Sequence, residues 1–202
     1  MLGGDALKIV RERDHFVFFL TTGLVSVPLM AFYMYGPEHL RMLGDTRAAA
    51  TMSIGQVSEI GAMLVIGWLM TRCRVKTMLV WALALALLRY VLFAIGGTTG
   101  NWWWLVAGVS LQGLCYTFYF VTAQIFLNRR VDPSMRAQAQ GLLVFVNGGI
   151  GSLAGTLIVG VLHRTTVLDG GADWTVFWSV LAGMVAVSLA VFAVFYRGRR
   201  RM

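Results

Sequence analysis

Two ionisable side chains, Glu59 and Arg89, stand within long apolar runs of this sequence. A charge at mid-bilayer costs at least about 2.5 kcal/mol on insertion scales, so such groups face a bundle interior or a wet cavity. Gln56 precedes Glu59 by one helical turn, which puts an amide and a carboxylate on the same face. That pair offers donors, acceptors and an exchangeable proton at one depth, the chemistry needed to hold a polar solute. Glu59 is also the candidate for proton coupling, because a carboxyl in low dielectric holds a proton more readily than in water. Arg89 lies 13 residues from Lys76, and Glu59 lies 11 residues from Met70. At about 1.5 Å per residue the two charges fall within roughly one turn of each other in depth. Arg89 is therefore the candidate intramembrane partner of Glu59, and a static ion pair satisfying both charges is the alternative to a proton-coupling role.

Gln112, Tyr116, Phe120 and Gln124 recur every four residues and trace one drifting stripe on a helix. Aromatic packing and the lining of a polar cavity both fit that stripe; its amides and phenol go beyond what packing against lipid would select. Further on, Asn147, Gly148, Gly149, Gly151, Ser152, Gly155 and Thr156 form a small-residue segment with a Gly-x-x-x-Gly spacing. Close helix packing is its leading reading, and Asn147 is a second cavity-lining candidate beside Gln112. His15, His39 and His163 are scattered near helix ends, and Cys73 and Cys115 fall at different depths and read as free thiols. No metal-ligand cluster, nucleophile elbow or phosphate-binding loop is present, so the sequence predicts neither a catalytic residue, a metal nor a cofactor.

The elements that must carry these residues follow from composition. Hydrophobic residues make up 58% of the 202-residue chain and charged ones 13%, against about 25% charged in soluble domains. Apolar segments at Phe16–Tyr35, Ala48–Met70, Met78–Ile95, Trp102–Leu127, Gly141–Leu162 and Trp174–Phe195 are each long enough to cross a bilayer. This predicts an all-α membrane protein with six transmembrane helices at 15–196, a short segment at 1–14 before them and a basic tail at 197–202 after them. The net charge of +8 does not indicate nucleic acid, because the cations sit between apolar segments rather than on one face. One set of alternate loops holds Lys8, Arg11, Arg13, Arg72, Arg74, Lys76, Arg129, Arg130, Arg136, Arg197 and Arg199 to Arg201; the other holds Arg41, Arg47 and Arg164. Lys and Arg stay inside, which predicts cytoplasmic termini. Trp102 to Trp104, and Trp174 with Trp178, read as interfacial anchors.

The loop Gly67-Trp-Leu-Met-Thr71-Arg72-Cys-Arg74-Val-Lys76 resembles the cytoplasmic motif Gly-x-Leu-x-Asp-Arg-x-Gly-Arg-Lys of major facilitator transporters, with Thr71 in place of the Asp and Arg74 in place of the Gly. Arg129-Arg130-Val-Asp132-Pro133-Ser-Met-Arg136-Ala-Gln-Ala-Gln140-Gly141 resembles the loop between helices ten and eleven of that superfamily. Ser53-Ile-Gly-Gln56-Val-Ser-Glu59, Leu88-Arg89-Tyr90 and Gly113-Leu-Cys-Tyr116-Thr-Phe-Tyr-Phe120 resemble the nucleoside:proton symporters within it.

That resemblance implies one half of a major facilitator fold, helices seven to twelve. It also implies proton-coupled nucleoside uptake across the plasma (inner) membrane by alternating access, with Gln56, Glu59, Tyr116 and Phe120 lining the nucleoside site. Two departures accompany it: Thr117 stands where the family often has Asp, and apolar residues around Leu29 to Phe32 replace helix-seven amides. Another polar solute such as a sugar, or a non-transporting membrane scaffold, remains the alternative. A single half supplies one wall of a site between two six-helix bundles. The expected partners are therefore a nucleoside or other small polar solute, protons, the lipid bilayer and an N-terminal six-helix half. The segment before the first helix resembles the end of the central loop of a longer transporter, and the small residues of the fifth helix are expected to meet the missing half.

Overall fold

A computed structural model describes residues 10–169 and 173–198. Lys8 and Arg199 to Arg201 lie outside the described residues. Six helices are long and apolar enough to cross a membrane: α1 Arg13–Met42, α2 Ala48–Arg72, α3 Val75–Thr99, α4 Trp103–Arg130, α5 Pro133–Leu168 and α6 Trp174–Phe195. In hydrocarbon no water can satisfy backbone groups, so segments of this composition close their hydrogen bonds internally as helices. No strand occurs among the described residues.

Two of the turns between helices have a clear local cause. Gly100 stops α3 in the left-handed conformation at φ 64°, which glycine adopts without Cβ strain, and its N–H bonds back to the Gly96 carbonyl. The Asn101 side-chain oxygen then accepts from the Trp103 N–H at 3.0 Å as α4 begins. Asp173 caps α6 by accepting from the Val176 N–H at 3.0 Å. At the opposite end of the bundle, Lys76 donates to the carbonyls of Ala193 (2.9 Å) and Tyr196 (2.6 Å), and the Asp14 carboxylate accepts from the N–H groups of Arg197 and Gly198 at 3.1 Å each. A cation on the last carbonyls of α6 satisfies acceptors that the helix itself leaves open.

α6 packs on α3 and α1, α5 on α1, and α4 on α2 and α3. One apolar cluster, including Phe18, Leu79, Phe126 and Phe192, fills the end where Lys76 caps α6; a second, including Phe32, Phe93, Phe177 and Trp178, fills the other. Trp103 and Trp104 are exposed, as interfacial anchors would be. Trp174 and Trp178 are not anchors: they are 5% and 0% exposed. His39 draws them inward, stacking on Trp174 with ring centroids 4.5 Å apart and accepting from the Trp178 indole N–H at 2.8 Å. His163, also buried, stacks on Tyr35 at 4.0 Å and lies 3.4 Å from the Glu38 carboxylate.

Two of the small residues of α5, Gly151 and Gly155, also have a different partner from the one expected. A Cβ on Gly151 would lie 2.6 Å from Ser26 Cβ, and one on Gly155 would lie 3.1 Å from Val27 Cα, so the Gly-x-x-x-Gly face is the seat of α1 within this same bundle. α2 and α5 are the least buried helices, and the faces they leave uncovered carry Val57, Leu64, Trp68, Leu153, Leu157 and Val161. Gly151→Val should force α5 off α1 and destabilise the bundle by about 1–3 kcal/mol, read as a lowered melting temperature of the detergent-solubilised protein, whereas Gly160→Val, where a Cβ meets nothing within 4 Å, should leave it unchanged.

Candidate solute site

The site begins with the close approach of α2 and α4. A Cβ at Gly113 would run into the backbone nitrogen of Glu59, so only glycine admits this contact. The Ser58 hydroxyl ties the two helices by accepting from the Gly113 N–H at 3.1 Å and donating to the Gly55 carbonyl at 2.8 Å. A Cβ on Gly55 would in turn lie 3.3 Å from Gln112 Cβ. These contacts bring Gln56 and Glu59 to the level of Gln112 and Tyr116. Gln56 is exposed on the α2 surface and Glu59 half-buried.

On α4 the stripe bends. Thr117–Val121 winds as a π turn, and the extra residue shifts the register below it. Gln112, Tyr116 and Phe120 line one small cavity of about 20 Å³, with Leu29 of α1 and Arg89 of α3 on its other walls; Gln56 and Glu59 are not among its lining residues. Gln124 leaves the stripe and is exposed, its carbonyl accepting from Gln140 at 2.9 Å. The Tyr116 and Phe120 rings sit 4.9 Å apart at 42°, and Tyr119, behind them, is held through its hydroxyl to Thr22 of α1 at 3.1 Å.

Arg89 does not pair with Glu59. Its guanidinium is 3% exposed, lies 4.6 Å from the centroids of both Phe32 and Tyr90, and donates to the Tyr90 hydroxyl at 2.8 Å. Two ring faces and a phenol take the place of a carboxylate, because the electron-rich faces attract the cation where water is excluded. Asn147 sits in a second π turn, Phe145–Gly151, where its side-chain oxygen accepts from Ser26 at 2.8 Å, so it links α5 to α1.

Of the loop motif, Lys76 serves as the α6 cap, Arg72 lies 4.9 Å over the Trp68 ring, and Gly67 is exposed. Cys73 and Cys115 are free thiols.

One residue of the site escaped the sequence reading. Tyr33 of α1 is 45% exposed, and its hydroxyl accepts from Gln112 Nε2 at 2.9 Å, within electrostatic reach of Arg89, Tyr116 and Glu59. The signal was its position one turn after Leu29, on the face where a helix-seven polar group was sought.

A bundle of six membrane-length helices, with two of them left largely uncovered and a buried amide and guanidinium beside an aromatic pair in one small cavity, has the build of one half of a membrane transporter. The backbone superposes on crystal structures of the nucleoside transporter NupG with TM-scores of 0.85 and, for its D323A mutant, 0.84, at 25% identity, covering 97% and 96% of this chain and 51% of each NupG chain. NupG is a major facilitator transporter, and this chain has the architecture of half of that fold. The family model of the nucleoside H+ symporters matches residues 1–201, and the chain belongs to that family.

Among relatives it is 33% identical over 205 residues to the candidate nucleoside transporter YegT of Escherichia coli (strain K12), covering 98% of this chain and 48% of YegT. It is 28% identical to the xanthosine permease of the same organism (96% and 49%) and 27% identical to its nucleoside permease NupG (96% and 50%). The chain thus spans about half the length of the curated relatives it matches. Gly113→Ala should push α4 off the Ser58–Glu59 turn of α2 and destabilise the bundle by about 1–3 kcal/mol, read as a lowered melting temperature of the detergent-solubilised protein, while Gly61→Ala, with open space around its Cβ, should leave it unchanged.

Proposed function

We propose that this chain is the helix seven-to-twelve half of a proton-coupled nucleoside transporter of the plasma membrane, with both termini cytoplasmic. The observation that carries the reading is the Gly113 contact, which sets the Ser58–Glu59 turn of α2 against α4 three residues before Tyr116 of the tilted ring pair Tyr116 and Phe120. An aromatic pair presents a π face to a flat base, and an amide with a carboxylate hydrogen-bonds ribose hydroxyls. A base-stacking wall favours a nucleoside over a sugar.

Glu59 is the proton carrier of this scheme. It is half-buried and, among the described residues, has no cationic side chain within ion-pair distance. Protonation lets it donate to a solute oxygen, and deprotonation on the cytoplasmic side removes that donor and favours release. Six helices form one wall of the path, and rocking against a second six-helix half would expose the site to each side in turn. The uncovered apolar faces of α2 and α5, together with the half-length coverage of the relatives, support an N-terminal half as the partner. The excess of Lys and Arg at one set of loops supports the orientation.

The test is uptake of labelled uridine by nucleoside-transport-deficient cells co-expressing this chain with an N-terminal six-helix half. Uptake that concentrates uridine and collapses with a protonophore is expected; absence of uptake would favour a scaffold role. Glu59→Gln should abolish concentrative uptake while retaining uridine exchange across the membrane, and unchanged proton-driven uptake in that variant would overturn the role of Glu59.

A further inference from the structure

Behind the ring pair, the cavity ends on two polar side chains whose hydrogen-bonding capacity is partly unused. Gln112 is 5% exposed and Arg89 3%. Gln112 Nε2 donates to the Tyr33 hydroxyl at 2.9 Å, which holds the amide in one orientation, while its Oε1 has no donor. One terminal nitrogen of Arg89 donates to Tyr90, whereas Nε and the other terminal nitrogen have no acceptor. Both residues line the same cavity as Tyr116 and Phe120. A buried group left without a partner costs about 1–3 kcal/mol, and more when charged, so a ligand that supplies both partners recovers that energy and one that supplies neither does not.

The missing partners are a donor for Gln112 and an acceptor for Arg89. In the proposed nucleoside complex the small cavity widens around a base stacked on Tyr116 and Phe120, and the edge of that base then faces Gln112 and Arg89. We propose that Gln112 and Arg89 read that edge and select nucleosides whose base carries a lactam, a ring N–H beside a carbonyl, as in uridine, inosine, guanosine and xanthosine. The ring N–H donates to Gln112 Oε1, and the carbonyl accepts from the Arg89 guanidinium. Cytidine and adenosine present the reverse pattern: a bare ring nitrogen faces the amide oxygen, and an amino group faces the guanidinium. Acceptor then meets acceptor and donor meets donor. Tyr33 acts as a positioning residue, since its bond to Nε2 turns Oε1 toward the ligand.

The inference rests on the proposed nucleoside transport, and the experiment separates the two. Uridine and cytidine differ only at this edge, as do inosine and adenosine, so unlabelled nucleosides are titrated against labelled uridine uptake in cells carrying this chain with an N-terminal half. Cytidine and adenosine should compete about 10- to 100-fold less well than uridine and inosine, the discrimination given by a site built around paired hydrogen bonds. Gln112→Met keeps the length of the side chain and removes the amide; it should weaken uridine and bring the uridine-to-cytidine ratio within about threefold of unity. Uridine uptake with equal competition by cytidine would overturn the edge reading and leave nucleoside transport standing. A ratio unaltered in Gln112→Met would overturn it too, and if that variant fails to reach the membrane on an immunoblot, the wild-type ratio decides. No uptake of any nucleoside would remove both proposals.

Discussion

Lipid gives two apolar helices no hydrophobic drive to associate, so this bundle depends on places where backbones approach closely enough for van der Waals contact and hydrogen bonding to hold them. Two such places organise the molecule. At Gly113, α4 meets the Ser58–Glu59 turn of α2; at Gly151 and Gly155, α5 meets α1. The first positions the candidate solute site, because Gln112 and Tyr116 flank Gly113 and Gln56 and Glu59 flank Ser58. The second explains why Asn147, whose carbonyl accepts from Ser152 five residues on, is engaged with Ser26 rather than left to the cavity.

Arg89 shows how the same environment treats a charge. Its guanidinium is surrounded by Phe32, Tyr90 and the cavity wall, and the ring faces give it attraction without an anion. A carboxylate partner would have made a tight neutral pair and consumed the charge of both groups. Instead the two groups stay apart, and Nε and one terminal nitrogen of Arg89 are left without an acceptor. Structure and chemistry are thereby divided between the two residues, with the cation on the wall and the acid on the uncovered face.

The π turns in α4 and α5 belong to the same logic. Each inserts a residue into the helical register at the level of the polar groups, and each changes which side chains share a face. In α4 the effect keeps Phe120 beside Tyr116 while turning Gln124 out. The buried His39 and His163 at the other end, wrapped by Trp174, Trp178, Tyr35 and Phe177, make that end of the bundle rigid by stacking and a Trp-to-His hydrogen bond.

The six membrane-crossing helices were legible in the sequence because a bilayer imposes length and apolarity residue by residue, with no need of tertiary information. Gln56 and Glu59 were legible for the same reason, as costly residues in an apolar run, and the motifs around them carried the family. What neighbours those residues meet was a matter of tertiary structure alone. Nothing in the spacing of Arg89 tells whether a carboxylate or two aromatic rings will lie opposite it. Nor does the spacing tell that Gly151 and Gly155 face α1, or that Trp174 and Trp178 turn inward onto His39. Periodicity assigns a residue to a face of its own helix; which helix stands against that face, and at what distance, is decided by packing. Tyr33 entered the site in this way, brought to Gln112 by a contact between two helices 79 residues apart in sequence.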